Sequence, residues 1–232
     1  MQVAFLDPEF QADPFHAYRW LRRYAPVYWD EKAPAWDDKA GVWGITSYEH
    51  IRTVSLDQET FTSTQGSRID APPVPSMINR DEPEHLLRRG VVRKRFTPES
   101  VRAFEPFIRN AVRTLLSNAG GDFDFVEKVA KPLPMMVIGH LFGVPERDYD
   151  KLLDWSDLVA TGMSNQPASF EAQVRDAVKQ FDEYIMEWYQ RRLQAPGNDL
   201  LSALALARES GVLMQRKDFL HEALLLLVGG DE

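Results

Sequence analysis

Apolar side chains recur every three or four positions along most of the chain, which is the spacing that places them on one face of an α-helix. Helix-start signals such as Asp-Pro, Ser and Asp divide this pattern into segments. The segments predict helices that begin near Asp13, Ser47, Asp81, Pro98, Phe123, Glu146, Phe170, Asn198 and Arg216. Two short aromatic and β-branched stretches, Pro26–Trp29 and Gly41–Thr46, instead predict the strands of a hairpin. The predicted class is mainly helical with a small β-sheet.

The final predicted helix, from Arg216 to Glu232, is apolar on every side through its Ala-Leu-Leu-Leu-Leu-Val run. Such a helix must lie in the middle of a structure, because no face of it is suited to water. It stops at Gly229-Gly-Asp-Glu232 without a capping signal, and the other helices offer too little surface to cover it. Large exposed apolar patches are rare on soluble monomers. We therefore expect the chain to be a fragment, or the first part of a larger domain.

Composition narrows the class of protein. The 232 residues are 44% hydrophobic and 27% charged, which suits a folded globular chain, and the net charge of −8 argues against a general nucleic-acid binder. The absence of cysteine excludes disulfides and thiolate ligands within these residues. No run of eighteen apolar residues occurs, and Met1–Asp7 lacks the features of a signal peptide. We expect a soluble, cytoplasmic protein without a membrane span.

The stretch from Asp81 to Pro98 carries the first candidate chemistry. Asp81 is a predicted N-cap, and Glu84 three residues later completes a capping-box pattern. His85 and Arg89 follow at four-residue spacing, so they project from nearly the same helix face. A His and an Arg one turn apart can hold an anion. On their own, however, such residues are more often merely solvated.

Two glycines late in the apolar helix are the second candidate. Gly229 and Gly230 cost about 1 kcal/mol each relative to Ala inside a helix. One interpretation is a helix C-terminus, where glycine is common. The other is a helix opened locally so that a ligand can approach the backbone, with an acid beside it to move protons. The sequence lacks a Gly-x-Gly-x-x-Gly motif, a P-loop and a His-Glu-x-x-His motif.

Three stretches together resemble the cytochrome P-450 superfamily of haem-thiolate monooxygenases in its soluble bacterial form. Asp13-Pro-Phe-His-Ala-Tyr-Arg-Trp-Leu-Arg with Ala25-Pro-Val-Tyr is similar to the first helix and strand of that family. Asp81-Glu-Pro-Glu-His-Leu-Leu-Arg-Arg with Phe96-Thr-Pro is similar to its C helix, and Leu225-Leu-Leu-Val-Gly-Gly-Asp-Glu to the start of its central I helix. The resemblance implies that residues 1–232 are the N-terminal portion of a single cytochrome P-450 domain.

The resemblance also implies roles for individual residues. His85 and Arg89 would hold a propionate of haem b, and Gly229 and Gly230 would lie over the haem beside the oxygen site. Glu232 would be the acid of the pair that relays protons to dioxygen. Residues facing a hydrophobic substrate would be Val74, Met77, Ile78, Leu225 and Val228. The loop around Val74–Ile78 and the break at Gly162–Ser169 would be mobile access segments.

Partners follow from the same resemblance. The substrate would be a hydrophobic small molecule, with the Gly-Gly-Asp-Glu form pointing to the branch that oxidises steroids and other lipids. The cationic run Arg88, Arg89, Arg93, Lys94 and Arg95 would dock an acidic electron donor of the ferredoxin type. The family's cysteine ligand and its downstream Glu-x-x-Arg pair are absent, so this chain alone cannot bind haem iron through a thiolate. Two alternatives stay open: a non-catalytic helical protein of the same origin that binds a lipid or partner, and a helical module that binds an anion.

Overall fold

A computed structural model describes residues 1–34, 40–69, 71–162, 168–212 and 215–231. The chain divides into two compact units, Met1–His85 and Leu86–Glu232. Within the described residues the secondary structure is mainly helical with one two-stranded sheet, which confirms the predicted fold class. None of the described helices combines the length and apolarity that crossing a membrane requires.

The first unit contains three helices and the hairpin. Their bounds are α1 (Pro8–Ala12), α2 (Phe15–Tyr24), β1 (Val27–Pro34), β2 (Ala40–Ile45) and α3 (Tyr48–Leu56), with a 3-10 turn at Met77–Asn79. The strands are antiparallel, which confirms the predicted hairpin, and Trp29 lies opposite Trp43. Ser47 caps α3 by accepting a hydrogen bond from the N–H of His50, as the sequence also predicts. The short helix α1 has no counterpart in the prediction, because its five residues are too few to show a period.

The amino-terminal segment is fixed to this hairpin by hydrogen bonds from its backbone N–H groups to side chains of β1. The N–H of Phe5 donates to the buried carboxylate of Asp30 at 2.8 Å, and the N–H of Val3 donates to the hydroxyl of Tyr28 at 3.1 Å. The Phe5 ring lies over Gly44, where an added Cβ would come within 2.0 Å of it. Gly44 is therefore required by a close approach of a ring to the strand.

The second unit is helical. Helix α4 (Glu84–Arg93) crosses the boundary between the units, and a 3-10 turn at Lys94–Phe96 follows it. The remaining helices are α5 (Pro98–Ala119), α6 (Pro132–Phe142), α7 (Tyr149–Gly162), α8 (Ala168–Gln194), α9 (Leu200–Glu209) and α10 (Arg216–Asp231). A π-helical turn at Val126–Ala130 and a 3-10 turn at Glu146–Asp148 precede α6 and α7, so both helices begin later than the sequence predicts.

Helix α10 lies in the middle of the second unit. Helices α6, α7, α8 and α9 all pack against it, and the side chains of Phe219, Ala223 and Leu227 are completely buried. This confirms the central position predicted from its apolar character.

The cap of α9 differs from the prediction by one residue. The predicted cap, Asn198, is exposed, whereas Asp199 is buried and accepts a hydrogen bond from the N–H of Ser202 at 2.7 Å. Its carboxylate also lies 3.0 Å from Nε of Arg192. The Nη2 atom of the same guanidinium donates to the carbonyl of Gly143. A single carboxylate thus joins the start of α9 to the residue that ends α6.

We expect Asp199→Ala to lower the free energy of unfolding by about 2 kcal/mol, because it removes a helix cap and the carboxylate beside a half-buried guanidinium. Asn198→Ala is the matched control and should change it by less than about 0.5 kcal/mol. Urea denaturation followed by circular dichroism measures both variants. Equal losses at the two positions would contradict the structural assignment of the cap.

Candidate functional site

The loop that precedes α4 is held by the carboxylate of Asp81, which does not cap the helix. Asp81 accepts hydrogen bonds from the hydroxyl of Thr62 and from the N–H of Ser63, the latter at 2.8 Å. The Thr62 hydroxyl, and then the Ser63 N–H, hold the pKa of Asp81 below its usual value. The predicted capping box is therefore wrong, because loop donors occupy Asp81 and because Glu84 pairs with Arg80 at 3.0 Å.

His85 lies in the first turn of α4 and is half-buried. Its Nδ1 lies 2.9 Å from a carboxylate oxygen of Glu82, three residues earlier. This pairing orients the imidazole ring and leaves Nε2 as the nitrogen for any further ligand. The ring is thus held in place before an anion binds.

Arg89 follows one turn later on α4 and is exposed. Within the described part of the chain its guanidinium takes part in no ion pair, so its donors are available to an external anion. Arg93, a further turn on, is also exposed. His85, Arg89 and Arg93 therefore lie along one helix at four-residue spacing. The charged side chains of Arg89 and Arg93 are exposed to solvent.

The predicted cationic run does not form one surface. Arg88 is only 5% exposed, and its guanidinium nitrogens lie 3.3 Å from Asp218 and 3.2 Å from Glu222 of α10. Conversely, the apolar side chains of Leu86 and Phe96 are 60% and 47% exposed. Arg88 is the residue that the sequence interpretation assigned to the wrong face.

Helix α10 continues without interruption through both glycines to Asp231. The helix therefore does not open at Gly229 and Gly230, which lie in its last described turn. An added Cβ at Gly229 would meet nothing within 4 Å, whereas at Gly230 it would lie 3.0 Å from the Ile138 side chain of α6. Gly229 therefore leaves an open face, and Gly230 permits close helix packing.

The other predicted site residues of α10 differ in how deeply they are buried. Leu225 is half-buried and lies one turn before Gly229, so the two share a face. Val228 is only 8% exposed. Glu232, the predicted proton-relay acid, lies outside the described residues.

In the first unit, the loop at residues 74–79 carries three predicted substrate residues and exposes two of them. Val74 and Ile78 are exposed and Met77 is half-buried. The loop is closed by Asn79, a buried residue that sequence reasoning missed, whose side-chain amide donates to the carbonyl of Val74 at 3.2 Å. Most of the second predicted access segment, at residues 163–167, lies outside the described residues.

Comparisons with known proteins identify relatives that match most of this chain. The chain is 35% identical over 219 residues to a steroid C26-monooxygenase of Mycolicibacterium smegmatis, with 93% of this chain and 53% of the relative covered. It is 34% identical over 204 residues to an erythromycin C-12 hydroxylase of Saccharopolyspora erythraea, with 86% of this chain and 51% of the relative covered. No family model matches the chain.

Solved structures agree with these relatives. The crystal structure of CYP109E1 from Bacillus megaterium in complex with testosterone superimposes with a TM-score of 0.78 and 31% identity, covering 97% of this chain and 58% of that one. A structure of P450 EryK in complex with erythromycin B gives a TM-score of 0.76 and 29% identity, covering 95% and 56%. The chain therefore belongs to the cytochrome P450 family, and it spans about half the length of the curated relatives it matches.

The two glycines of α10 should respond differently to the same substitution. We expect Gly229→Ala to raise the free energy of unfolding by about 0.5–1 kcal/mol, because alanine favours the helix and meets no neighbour. Gly230→Ala should gain less or nothing, because its methyl group presses on Ile138. Urea denaturation of both variants tests this, and an equal gain at the two positions would refute the difference in packing.

Proposed function

We propose that the complete protein containing this chain is a haem-dependent monooxygenase that inserts one oxygen atom from dioxygen into a hydrophobic small molecule. The observation that carries the proposal is the similarity of 93% of this chain to a steroid C26-monooxygenase. The overall reaction converts a C–H bond to C–OH, and it reduces the second oxygen atom to water with two electrons and two protons. Because the relatives are nearly twice as long, this activity is assigned to the complete protein.

The residues present fit the periphery of a haem b group rather than its iron. Arg89 has an exposed guanidinium with no ion-pair partner in the described part of the chain, and His85 has an oriented ring; both suit a propionate. The open face of Gly229 suits a flat group or a small ligand close to the helix backbone. The iron's thiolate ligand must come from elsewhere, since the sequence contains no cysteine. Haem, when bound, supplies the iron centre for oxygen activation.

The remaining residues have proposed roles around that centre. Glu232 would hold a proton for delivery to the oxygen site, and Gly230 would keep α10 close to α6 through its contact with Ile138. The exposed Val74 and Ile78 of the first unit, and Leu225 of α10, would contact the substrate. Apolar side chains at these positions exclude water and favour a hydrophobic molecule. Met77 of the first unit and Val228 of α10, which are more buried, have the same proposed role.

The proposed substrate class is a steroid or related lipid. Two relatives of the chain are a steroid C26-monooxygenase and an erythromycin C-12 hydroxylase, which makes a macrolide the competing class. Titration of the haem-loaded protein with testosterone and with erythromycin, followed by the shift of its Soret band, separates the two. A response to the macrolide alone would contradict the steroid assignment.

The proposed electron donor is an acidic protein of the ferredoxin type. The exposed Arg93 and Lys94 provide a cationic surface that would attract it over long range. A reduction rate unaffected by ionic strength would contradict this. The expected cytoplasmic location is likewise a proposal, which cell fractionation tests.

The decisive experiment is the intact mass of the natural protein together with its reduced carbon-monoxide difference spectrum. A mass well above 26.6 kDa with a thiolate-type Soret band supports the monooxygenase. A mass near 26.6 kDa without a Soret band would favour the non-catalytic helical protein instead.

In the complete protein, we expect Arg89→Ala to accelerate haem loss about tenfold to a hundredfold, because a charge-assisted hydrogen bond to a buried carboxylate contributes about 1.5–3 kcal/mol. Arg93→Ala is the matched control, being equally cationic and exposed one turn further along α4. Transfer of haem to excess apomyoglobin measures both rates. Unchanged transfer from the Arg89→Ala variant would reject the propionate role.

Replacement of Glu232 by Gln should slow turnover about tenfold or more while substrate affinity stays close to that of the native protein, because Gln is similar in shape and carries no transferable proton. Steady-state turnover and substrate titration of the complete protein provide the two measurements. Normal coupled turnover would remove Glu232 from the proposed relay.

A further inference from the structure

Arg88 lies in a buried cluster of charges between α4 and α10. Its two terminal nitrogens reach the carboxylates of Asp218 at 3.3 Å and Glu222 at 3.2 Å. The three side chains are 5%, 8% and 1% exposed, respectively. The two acids are one turn apart on α10, so a single guanidinium spans successive turns of that helix.

Stability alone does not account for this cluster. Removing charges from water offsets most of their mutual attraction, and buried ion clusters can often be replaced by apolar side chains without loss of stability. Apolar packing has no preferred direction, whereas a guanidinium is a rigid, planar set of donors that must be aligned with its acceptors. The cluster can therefore fix an orientation that apolar contact would leave loose.

The orientation in question is the rotation of α4 about its own axis. The helices packed most extensively on α10 are α6, α7, α8 and α9, and α4 reaches it through the long side chain of Arg88. Arg88 and the buried Val92, four residues apart, define the inward face of α4, whereas Arg89 is exposed. Any rotation of α4 therefore changes the direction in which Arg89 points.

A small rotation is enough to matter. At the outer radius of a helix, about 6 Å from its axis, a rotation of about 10° moves a group by about 1 Å. The useful range of an N–H···O distance is only about 0.5 Å wide. A hydrogen bond from Arg89 to a fixed anion therefore requires the rotation of α4 to be restricted more tightly than the packing of Val92 alone restricts it.

We propose that Arg88 is a positioning residue, which holds the rotation of α4 through Asp218 and Glu222 so that Arg89 meets a haem propionate. The proposal rests on the role given to Arg89 above. It assigns Arg88 no contact with haem or substrate; its effect passes through Arg89.

The test uses the complete, haem-loaded protein and the triple variant Arg88→Met, Asp218→Asn, Glu222→Met. Asparagine keeps an acceptor for the N–H of Gln215, which Asp218 binds at 3.0 Å. We expect a melting temperature close to that of the native protein and haem transfer to apomyoglobin about tenfold faster. Arg88→Lys, which keeps the charge and loses the planar set of donors, should give an intermediate rate.

The same changes made in an Arg89→Ala background separate positioning from general loosening. If Arg88 acts through Arg89, the triple change adds no further acceleration there. An equal acceleration in both backgrounds, or a native transfer rate in the folded triple variant, overturns the inference and leaves the proposed function intact. If the triple variant does not fold, Arg88→Lys in the two backgrounds decides by the same criterion. Unchanged transfer from Arg89→Ala alone would instead remove the role of Arg89.

Discussion

The burial of α10 is the constraint on which the second unit depends. A helix that is apolar around most of its circumference can persist in water only if other helices cover it, and α6 to α9 cover one side of it while Leu225 stays half-buried and Gly229 open. Its completely buried residues, Phe219, Ala223 and Leu227, recur at four-residue intervals along one face. Because that face is fixed, the open position at Gly229 on the same helix is also fixed. A ligand-binding face carried on a central helix is held more firmly than one carried on a loop.

The same helix also carries two acids into the interior, and they make it selective about its neighbours. An apolar helix surface would accept any apolar partner at that position, whereas Asp218 and Glu222 require a cation. Arg88 provides it from α4. The second unit thus combines non-directional packing around α10 with a directional connection from α4, and this connection is next to the residue proposed to bind the cofactor.

Local signals were sufficient for much of the fold. Ser47 acts within its own helix end, where it accepts from the N–H of His50 three residues later, so neighbouring residues alone decide this cap. Asp81 was misassigned because donors from residues 62 and 63, eighteen or more positions away, compete for its carboxylate. Arg88 and Arg89 are chemically identical neighbours whose faces differ by about 100°. The choice between them is made by Asp218 and Glu222, which are about 130 positions further along the chain and pair with Arg88.

The attachment of residues 3–5 to the hairpin bears on how this protein can be produced. The Asp30 carboxylate is buried beneath a segment that also supplies one of its hydrogen-bond donors, and the Phe5 ring covers Gly44. Trimming those residues would expose the strand surface under Phe5 and remove one hydrogen-bond donor of the buried Asp30 carboxylate, which also accepts from the N–H of Lys32. An affinity tag should therefore be joined to the first unit through a linker that precedes Met1. A shortened gene product should retain Val3 to Phe5.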